Sequence, residues 1–419
     1  MFQGHVRFPP SLRHRDFRNV ALGQFLSNSG SQMQQVAVVW QLYLVTRSPL
    51  ALGLLGFFRV VPILVFALGG GVVADAMDRR RLMLVTQTVL ASVSATLGLA
   101  TVLGLVSAPL LYALAAVAGA ATAFDNPARA ALIPSLVPVE VLPGALSVGF
   151  TGWQLANVAG PALAGVLLAW RGPLPIYALD VLSFGAVIAA LLRMSHRDAT
   201  RPRTVLGLES VREGLAFLRR APVIRTTMLL DFFGTFFAGA LLLMPIFANE
   251  LLQVGTHGLG LLYAAQPAGA ALAGVWLSTR SVPRRQGPAV LVSVATYGAA
   301  IAVFGISRHF ALSLASLAVS GAADTVSTVI RQTLRQVETP DGLRGRMTSL
   351  NMIFFMGGPQ LGEVEAGAVA RLFGARASVA MGGVLCVAVA ALTAGLSPAL
   401  RRYRGRTATE MPAAPAPVG

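Results

Sequence analysis

The chain has 419 residues, of which 55% are hydrophobic and only 12% charged, about half the charged share of an ordinary soluble domain. Its 33 basic side chains, all arginine, outnumber 17 acidic ones and give a net charge of +16. So little polar surface excludes a disordered, collagen-like or disulfide-stapled secreted chain and points to a polytopic membrane protein.

The first 19 residues are polar and basic, and the apolar stretch after them is too long for a signal segment and lacks a small-residue cleavage site. That first segment is expected to stay in the protein, with Arg13, Arg15 and Arg18 holding the amino end in the cytoplasm. Twelve spans are expected, near 19–45, 50–74, 82–105, 109–128, 144–170, 173–192, 223–247, 258–277, 288–305, 310–330, 347–369 and 378–400. Each has roughly the 17–25 residues that a membrane helix needs. The runs are continuously apolar rather than alternating, so helices are expected and not membrane strands. Pro62, Pro161, Pro245 and Pro359 fall inside spans, where a missing N–H favours a kink. The single cysteine, Cys386, lies in an apolar run and has no partner for an internal disulfide.

The arginines fix the expected orientation. With both ends in the cytoplasm, 27 arginines fall in inside segments and 5 in outside loops, leaving Arg59 within a span. That split follows the positive-inside rule. The basic charge is therefore topological, and no nucleic-acid partner is expected.

The chain also repeats itself. Ala159-Gly160-Pro161 with Leu163 and Gly165 is echoed about 198 residues on by Gly358-Pro359 with Leu361 and Gly362; Asp125 and Asp324 stand 199 apart, and the Arg79-Arg80 and Arg284-Arg285 pairs 205. Two parallel six-helix halves account for these offsets. The expected division is 1–192 for the N-terminal six-helix bundle with its short cytoplasmic segment and 193–222 for a polar cytoplasmic linker. The second bundle takes 223–400 and a cytoplasmic tail 401–419.

Several motifs resemble one family. They are Thr46-Arg47-Ser48-Pro49 with Leu52-Gly53, Gly71-Val72-Val73-Ala74-Asp75 with Asp78-Arg79-Arg80-Arg81, Phe124-Asp125-Asn126-Pro127-Ala128-Arg129 with Ile133-Pro134, and Arg344-Gly345-Arg346. Over nearly its whole length, roughly 18 to 399, the chain resembles the major facilitator superfamily, in the bacterial branch of the enterobactin exporter and related drug effluxers. The superfamily loop motif carries Arg directly after its Asp and Gly three after it; this chain has Ala76 and Asp78. The resemblance implies an all-α major facilitator fold of twelve transmembrane helices in two bundles. It also implies a conformational gate from Gly71, Asp75, Arg79, Arg80, Asp125 and Arg129, with Asp75 clasping the amino end of helix 11 in the outward-open state. Solvation and local ion pairing are the alternative reading of Asp75. Gly160, Pro161 and Gly165 resemble the helix-5 antiporter motif; close packing of small residues is the other account of them.

Polar residues within the spans mark candidate contacts. Gln24, Asn28, Ser31 and Gln35 recur at intervals of 3 or 4 and put a polar face on the first helix. That face suits either a water-filled cavity or hydrogen bonds between helices. Asp231, Glu363 and Glu365 are candidates for proton coupling, since an ionised carboxylate roughly 13 Å into a span, as Asp231 is at 1.5 Å per residue, is costly unless paired or hydrated. Structural ion pairs are the alternative, and Asp324 is a fourth acid within the spans. Asp180, near the outer end of its span, is expected to be solvated. Arg59 stays charged and cannot carry the exchanged proton; it would face the cavity or an acid. Trp153 and Phe236 are the aromatic cavity candidates.

Without a phosphate-binding loop or metal-ligand spacing, no enzyme activity, cofactor or metal is expected. The leading reading is a secondary exporter in the bacterial inner membrane, monomeric, coupled to the proton gradient and working by alternating access. Its partners would be a small amphiphilic compound, drug-like or siderophore-like, protons and membrane lipids. An importer, facilitator or lysolipid flippase of the same fold is the nearest alternative, and a non-transporting receptor a further one.

Overall fold

Apolar runs that cross a bilayer must satisfy their own backbone hydrogen bonds, and this chain does so with helices. The computed structural model describes residues 9–194, 208–239, 241–280, 283–340 and 343–405; the side chains of 67–76, 208–212, 214, 344–346, 348–349, 352–353 and 356 lie outside the description. The helices are α1 Arg15–Thr46, α2 Pro49–Ala76, α3 Arg79–Val102, α4 Ala108–Leu132, α5 Leu142–Arg171 and α6 Leu174–Leu192. After α7 Leu208–Arg220 come α8 Pro222–Phe237, α9 Met244–Ile246, α10 Gly255–Ser278, α11 Gln286–Ile306, α12 Phe310–Glu338, α13 Arg344–Phe373, α14 Ala375–Leu396 and α15 Pro398–Arg401. Among the described residues, 10 helical stretches are long and apolar enough to cross a membrane. The protein is thus an all-α polytopic membrane protein. Two further long helices, the polar-faced α1 and α13, pack among these ten.

The packing has a pattern. α1 lies on α5 and α6, α2 on α4, and α3 on α4 and α6; α8 lies on α13 and α14, α10 on α12, and α11 on α12 and α14. The second set of contacts repeats the first, element for element. Between the sets, α2 meets α13 and α5 meets α10.

The two ends of the molecule differ. At one end α1 stops because Arg47 turns into the left-handed region, with φ 49° and its N–H on the Tyr43 carbonyl, and Pro49 starts α2. At this Arg47 end the largest apolar core draws on both sets, including Tyr43, Leu52 and Leu168 from the first and Phe247, Leu259 and Phe304 from the second. At the opposite, Arg80 end there are two separate cores. One joins Phe17, Met83, Leu132 and Leu191 of the first set; the other joins Leu218, Ile224, Leu334 and Met347 of the second.

Close backbone approaches between the sets are found at the Arg47 end. A Cβ on Gly165 would lie 2.7 Å from the Gly260 Cα, and one on Gly367 would lie 2.9 Å from the Gly53 Cα. Only glycine admits α5 to α10, and α13 to α2, at this range.

Within the expected 193–222 linker lies α7, whose Phe217 and Leu218 pack onto the second set. Two expectations are corrected. The seventh span, expected as one helix over 223–247, breaks after Phe237 into a 3-10 turn at Leu241–Leu243, α9 and a π turn at Phe247–Leu251. Gly239 at the break lies against the Pro359 carbonyl, and Pro245 cannot continue an upstream hydrogen-bond ladder. Finally, α12 runs beyond 330, so Arg331, counted among the loop arginines, lies in the helix and is buried.

The glycine contact sets a prediction. Gly165→Leu should overpack the α5–α10 contact and destabilise the protein by about 1–3 kcal/mol, seen as a lower Tm in detergent. Gly185→Leu, at a site with open space around it, should leave the Tm nearly unchanged; equal effects would remove the contact from the account of stability.

Candidate functional site

In the first set, polar side chains collect where α1, α3 and α4 meet. Asp125 is buried and accepts hydrogen bonds from Thr86 Oγ1 at 2.7 Å and Gln87 Nε2 at 2.9 Å. Arg129, one turn along α4, pairs with its other oxygen and donates to Asn28 Oδ1 at 3.4 Å. Two expected gate residues and one cavity candidate therefore share a network. Gln24, one turn before Asn28, is buried, and neither atom of its amide has a hydrogen-bond partner among the described residues. Ser31 and Gln35 are half-buried. Gly160 admits α5 to this polar face, since a Cβ there would lie 2.7 Å from the Gln32 Cβ. The helix-5 motif thus packs on α1 at Gly160 and on α10 at Gly165.

The arginines that begin α3 close the ends of other helices. Arg80 donates to the Leu192 and Met194 carbonyls at 2.9 and 3.1 Å, and Arg79 to the Ala131 carbonyl at 3.3 Å. Such contacts satisfy carbonyls that a helix terminus leaves free. The surroundings of Gly71 and the Asp75 side chain, and with them the expected clasp, lie outside the description.

Asp180 corrects another expectation. It is 0% exposed rather than solvated, and accepts from Ser94 Oγ at 2.7 Å while Gln34 Nε2 donates to the same hydroxyl at 2.7 Å. An acid near a span end reads as wet in the sequence; the packing of α1, α3 and α6 over it makes it dry.

The second set holds a cavity of about 170 Å³ between α8, α10, α11, α12 and α13. Asp231, Asp324, Glu363, Gln266, Thr235 and Tyr297 supply its polar lining. Asp231 is held by Arg331 at 2.5 Å, and Asp324 reaches the same guanidinium at 3.9 Å. No partner for Asp231 is legible in the sequence, because a span that ends at 330 leaves Arg331 in a loop. An amphipathic continuation of α12 past Ile330 was the available signal.

Glu363 lies against α2, where a Cβ on Gly53 would meet its carbonyl at 2.7 Å and one on Gly56 would meet its Cβ at 3.1 Å. Arg59, one turn beyond Gly56, is its electrostatic neighbour. Arg59 is exposed, and although it lies across the contact between the sets from Glu363, the two make no ion pair among the described residues. Glu365 is half-buried and is not among the residues lining the cavity. Phe236 is half-buried and stacks on Phe232 at 6.1 Å between centroids, while Trp153 is exposed beside Phe150.

One further cluster was not anticipated. At the Arg47 end, the Tyr43 hydroxyl donates to Glu250 Oε1 at 2.7 Å and receives Asn249 Nδ2 at 3.0 Å and Arg47 NH1 at 2.9 Å. It ties α1 to the π turn of the second set. Its partners lie some 200 residues apart, and no local spacing reveals them.

Comparison with known proteins agrees with this architecture. Residues 7–413 match the family model described as "Transmembrane secretion effector". The enterobactin exporter EntS of Citrobacter koseri is 28% identical over 393 residues, covering 93% of this chain and 94% of that protein. A POT family transporter solved with 5-aminolevulinic acid superposes with a TM-score of 0.72 at 11% identity, covering 95% of this chain and 98% of that one. A bacterial homolog of the lysosomal transporter Spinster, inward-facing and unoccupied, gives 0.71 at 15% identity, with coverage of 96% and 100%. At these identities the two structures establish the fold alone.

The Asp231–Arg331 pair sets a second prediction. Arg331→Met leaves a buried carboxylate unpaired and should destabilise the protein by about 3–5 kcal/mol, measured by unfolding in detergent. Adding Asp231→Asn should recover much of that loss. Additive penalties in the double-mutant cycle would show that the two groups are not coupled.

Proposed function

We propose that this chain, which belongs to the transmembrane secretion effector family and to the major facilitator superfamily, exports small amphiphilic compounds in exchange for protons. The family makes it a secondary transporter of small molecules rather than an enzyme, multi-pass in the bacterial inner membrane. The compounds would be drug-like or siderophore-like, the latter because relatives in the family are named enterobactin exporters.

One observation carries the transport cycle: the two helix sets share one core at the Arg47 end and keep separate cores at the Arg80 end. We take α1–α6 and α8–α14, with α8 and α9 as the two parts of one broken span, as two six-helix bundles, within 1–192 and 223–400, that rock against each other. With both termini cytoplasmic, as the arginine distribution favours, the Arg80 end faces the cytoplasm and the conformation is inward-facing. Substrate would enter between the bundles past Asn28, Ser31 and Gln35 on one side and Phe236 on the other. Separation of the Gly165–Gly260 and Gly53–Gly367 contacts, with loss of the Tyr43–Glu250 bond, would open the outer side.

Asp231 pairs with the Arg331 guanidinium, and Glu363 lies within electrostatic range of Arg59. A carboxylate can take up a proton and let go of its arginine; an arginine keeps its charge. Glu363 sits on the α2–α13 contact itself, so neutralising it would loosen a joint that must part in each cycle. One proton moving down the gradient supplies about 2.3 kcal/mol per 100 mV and about 1.36 kcal/mol per pH unit, enough to drive export without nucleotide hydrolysis.

The test uses reconstituted vesicles with an imposed pH gradient, a panel of amphiphilic dyes and a catecholate siderophore. Substrate-dependent proton flux is expected, and compounds that bind without moving protons in either direction would defeat proton exchange. Asp231→Asn or Glu363→Gln should slow pH-driven efflux about tenfold or more, a barrier change of about 1.4 kcal/mol, while changing substrate affinity less. Glu365→Gln is measured separately. If all three variants keep normal proton-driven flux, these acids are structural.

A further inference from the structure

The two helix sets dispose differently of the arginines at the Arg80 end. In the first set they are engaged: Arg80 of α3 closes the end of α6 through the Leu192 and Met194 carbonyls, and Arg79 takes the Ala131 carbonyl. The matching pair, 205 residues on, is Arg284-Arg285 at the start of α11, which packs on α14. There the chain itself closes the helix ends. The Ser397 hydroxyl accepts from the Leu400 N–H to begin α15. The segment after α15 then runs beside the start of α11, where the Gly287 N–H donates to the Tyr403 carbonyl at 3.2 Å and the Gly405 N–H to the Arg284 carbonyl at 3.0 Å. Arg284, Arg285, Arg401, Arg402 and Arg404 are thereby gathered on two adjoining stretches of chain.

All five are exposed, and none makes a side-chain hydrogen bond or an ion pair among the described residues. No acid lies in the first turn of α11 or between 397 and 405, and Glu338 at the end of α12 accepts from the Tyr403 hydroxyl at 2.9 Å. Beneath the arginines the surface is apolar. The exposed positions of α11, Val292, Thr296, Ala299, Val303 and Ile306, recur at intervals of 4 and 3 and form one stripe. Arg285 continues that stripe two turns before Val292, about 10 Å along the axis. On α14, Val384, Leu385, Leu392 and Leu396 are exposed and lead to Arg401 and Arg402. At the end of α10, exposed Trp276 carries the Arg280 guanidinium over its ring at 5.5 Å. Tryptophan with a basic neighbour at the end of a span marks the headgroup level. Five uncompensated charges therefore stand at that level, over two stripes that lie at the depth of acyl chains.

We propose that the Arg80 end of the α11–α14 face binds an anionic phospholipid, with its phosphodiester among Arg285, Arg401 and Arg402 and its acyl chains along Val292, Leu392 and Leu396. Basic clusters beside a span are drawn to anionic leaflets, and a guanidinium can hold a phosphate through two parallel N–H donors. A soluble anion would meet the arginines and leave the stripes uncovered; a neutral chain would cover the stripes and leave the arginines unmet. A zwitterionic lipid brings its own ammonium to the phosphate, so discrimination by net headgroup charge follows from the surface. The inference goes beyond the transport reading and does not depend on it, since it requires only that the chain lie in a membrane.

The experiment is native mass spectrometry of the full-length protein titrated with dioleoyl phosphatidylglycerol and, separately, with dioleoyl phosphatidylcholine. The first phosphatidylglycerol should bind about tenfold tighter or more, a difference of about 1.4 kcal/mol. Arg285→Gln combined with Arg401→Gln and Arg402→Gln should bring the two affinities within about twofold. The control takes the same charge from the same end of the first set, by Arg13→Gln, Arg15→Gln and Arg18→Gln, and should leave the preference intact. Equal affinities in the unmodified protein, a preference that survives the first triple substitution, or an equal loss in both variants overturns the proposal. Should the variant fail to fold, the unmodified protein in nanodiscs is labelled with a phosphatidylglycerol that carries a diazirine near its headgroup. Labels should concentrate on 285–296 and 388–402, and even labelling of all the exposed helix faces overturns the site. A lipid-free dimer that the first triple substitution disperses would give the surface to a second copy of the chain, and overturns it as well.

Discussion

A charge within hydrocarbon must be paired, hydrated or neutralised, and most of the interior of this protein is arranged around that demand. Asp125 is surrounded by Thr86, Gln87 and Arg129; Asp231 is held by Arg331; Asp180 is met by hydroxyls alone. Each solution joins different helices, so each also fixes how those helices sit. The acids are few, and that is why each one constrains so much.

The same demand separates the two helix sets. In the first, Asp125 and Arg129 lie one turn apart on the same helix, and the network closes within α1, α3 and α4. In the second, the counterpart Asp324 has no arginine one turn on, because position 328 is Thr. Its cation comes from Arg331, which Asp231 holds more closely. A repeat that is faithful in helix pairing is thus unfaithful in charge. The difference produces a cavity with an acidic wall in one set and a filled polar knot in the other.

Contact between the sets combines close backbone approach with a shared apolar core at the Arg47 end. Gly165 on Gly260 and Gly53 beside Gly367 bring helices together with little to interlock. Surfaces of this kind can part without dragging bulky groups out of pockets, whereas the Tyr43–Glu250 bond adds direction at the same end. The Arg80 end, with its apolar cores kept apart, has no equivalent among the described residues.

The sequence by itself determined the class of the protein and much of its layout. Apolar length and continuity required membrane helices, and the Gly-Pro and Asp offsets near 199 exposed the repeat, because both are properties of consecutive residues. The motif-bearing Asp125, Arg129 and Gly160 were also legible as candidate positions. Their partners were not. Arg331 was hidden because the expected span ends at 330 whereas α12 runs to Glu338; Asp180 looked solvated until three helices closed over it; Tyr43 and Glu250 are 207 apart in the chain. Which acid is paired, which is dry and which faces a cavity depends on the rotation and contact of neighbouring helices. That is decided by packing between segments distant in sequence, and only the tertiary structure contains it.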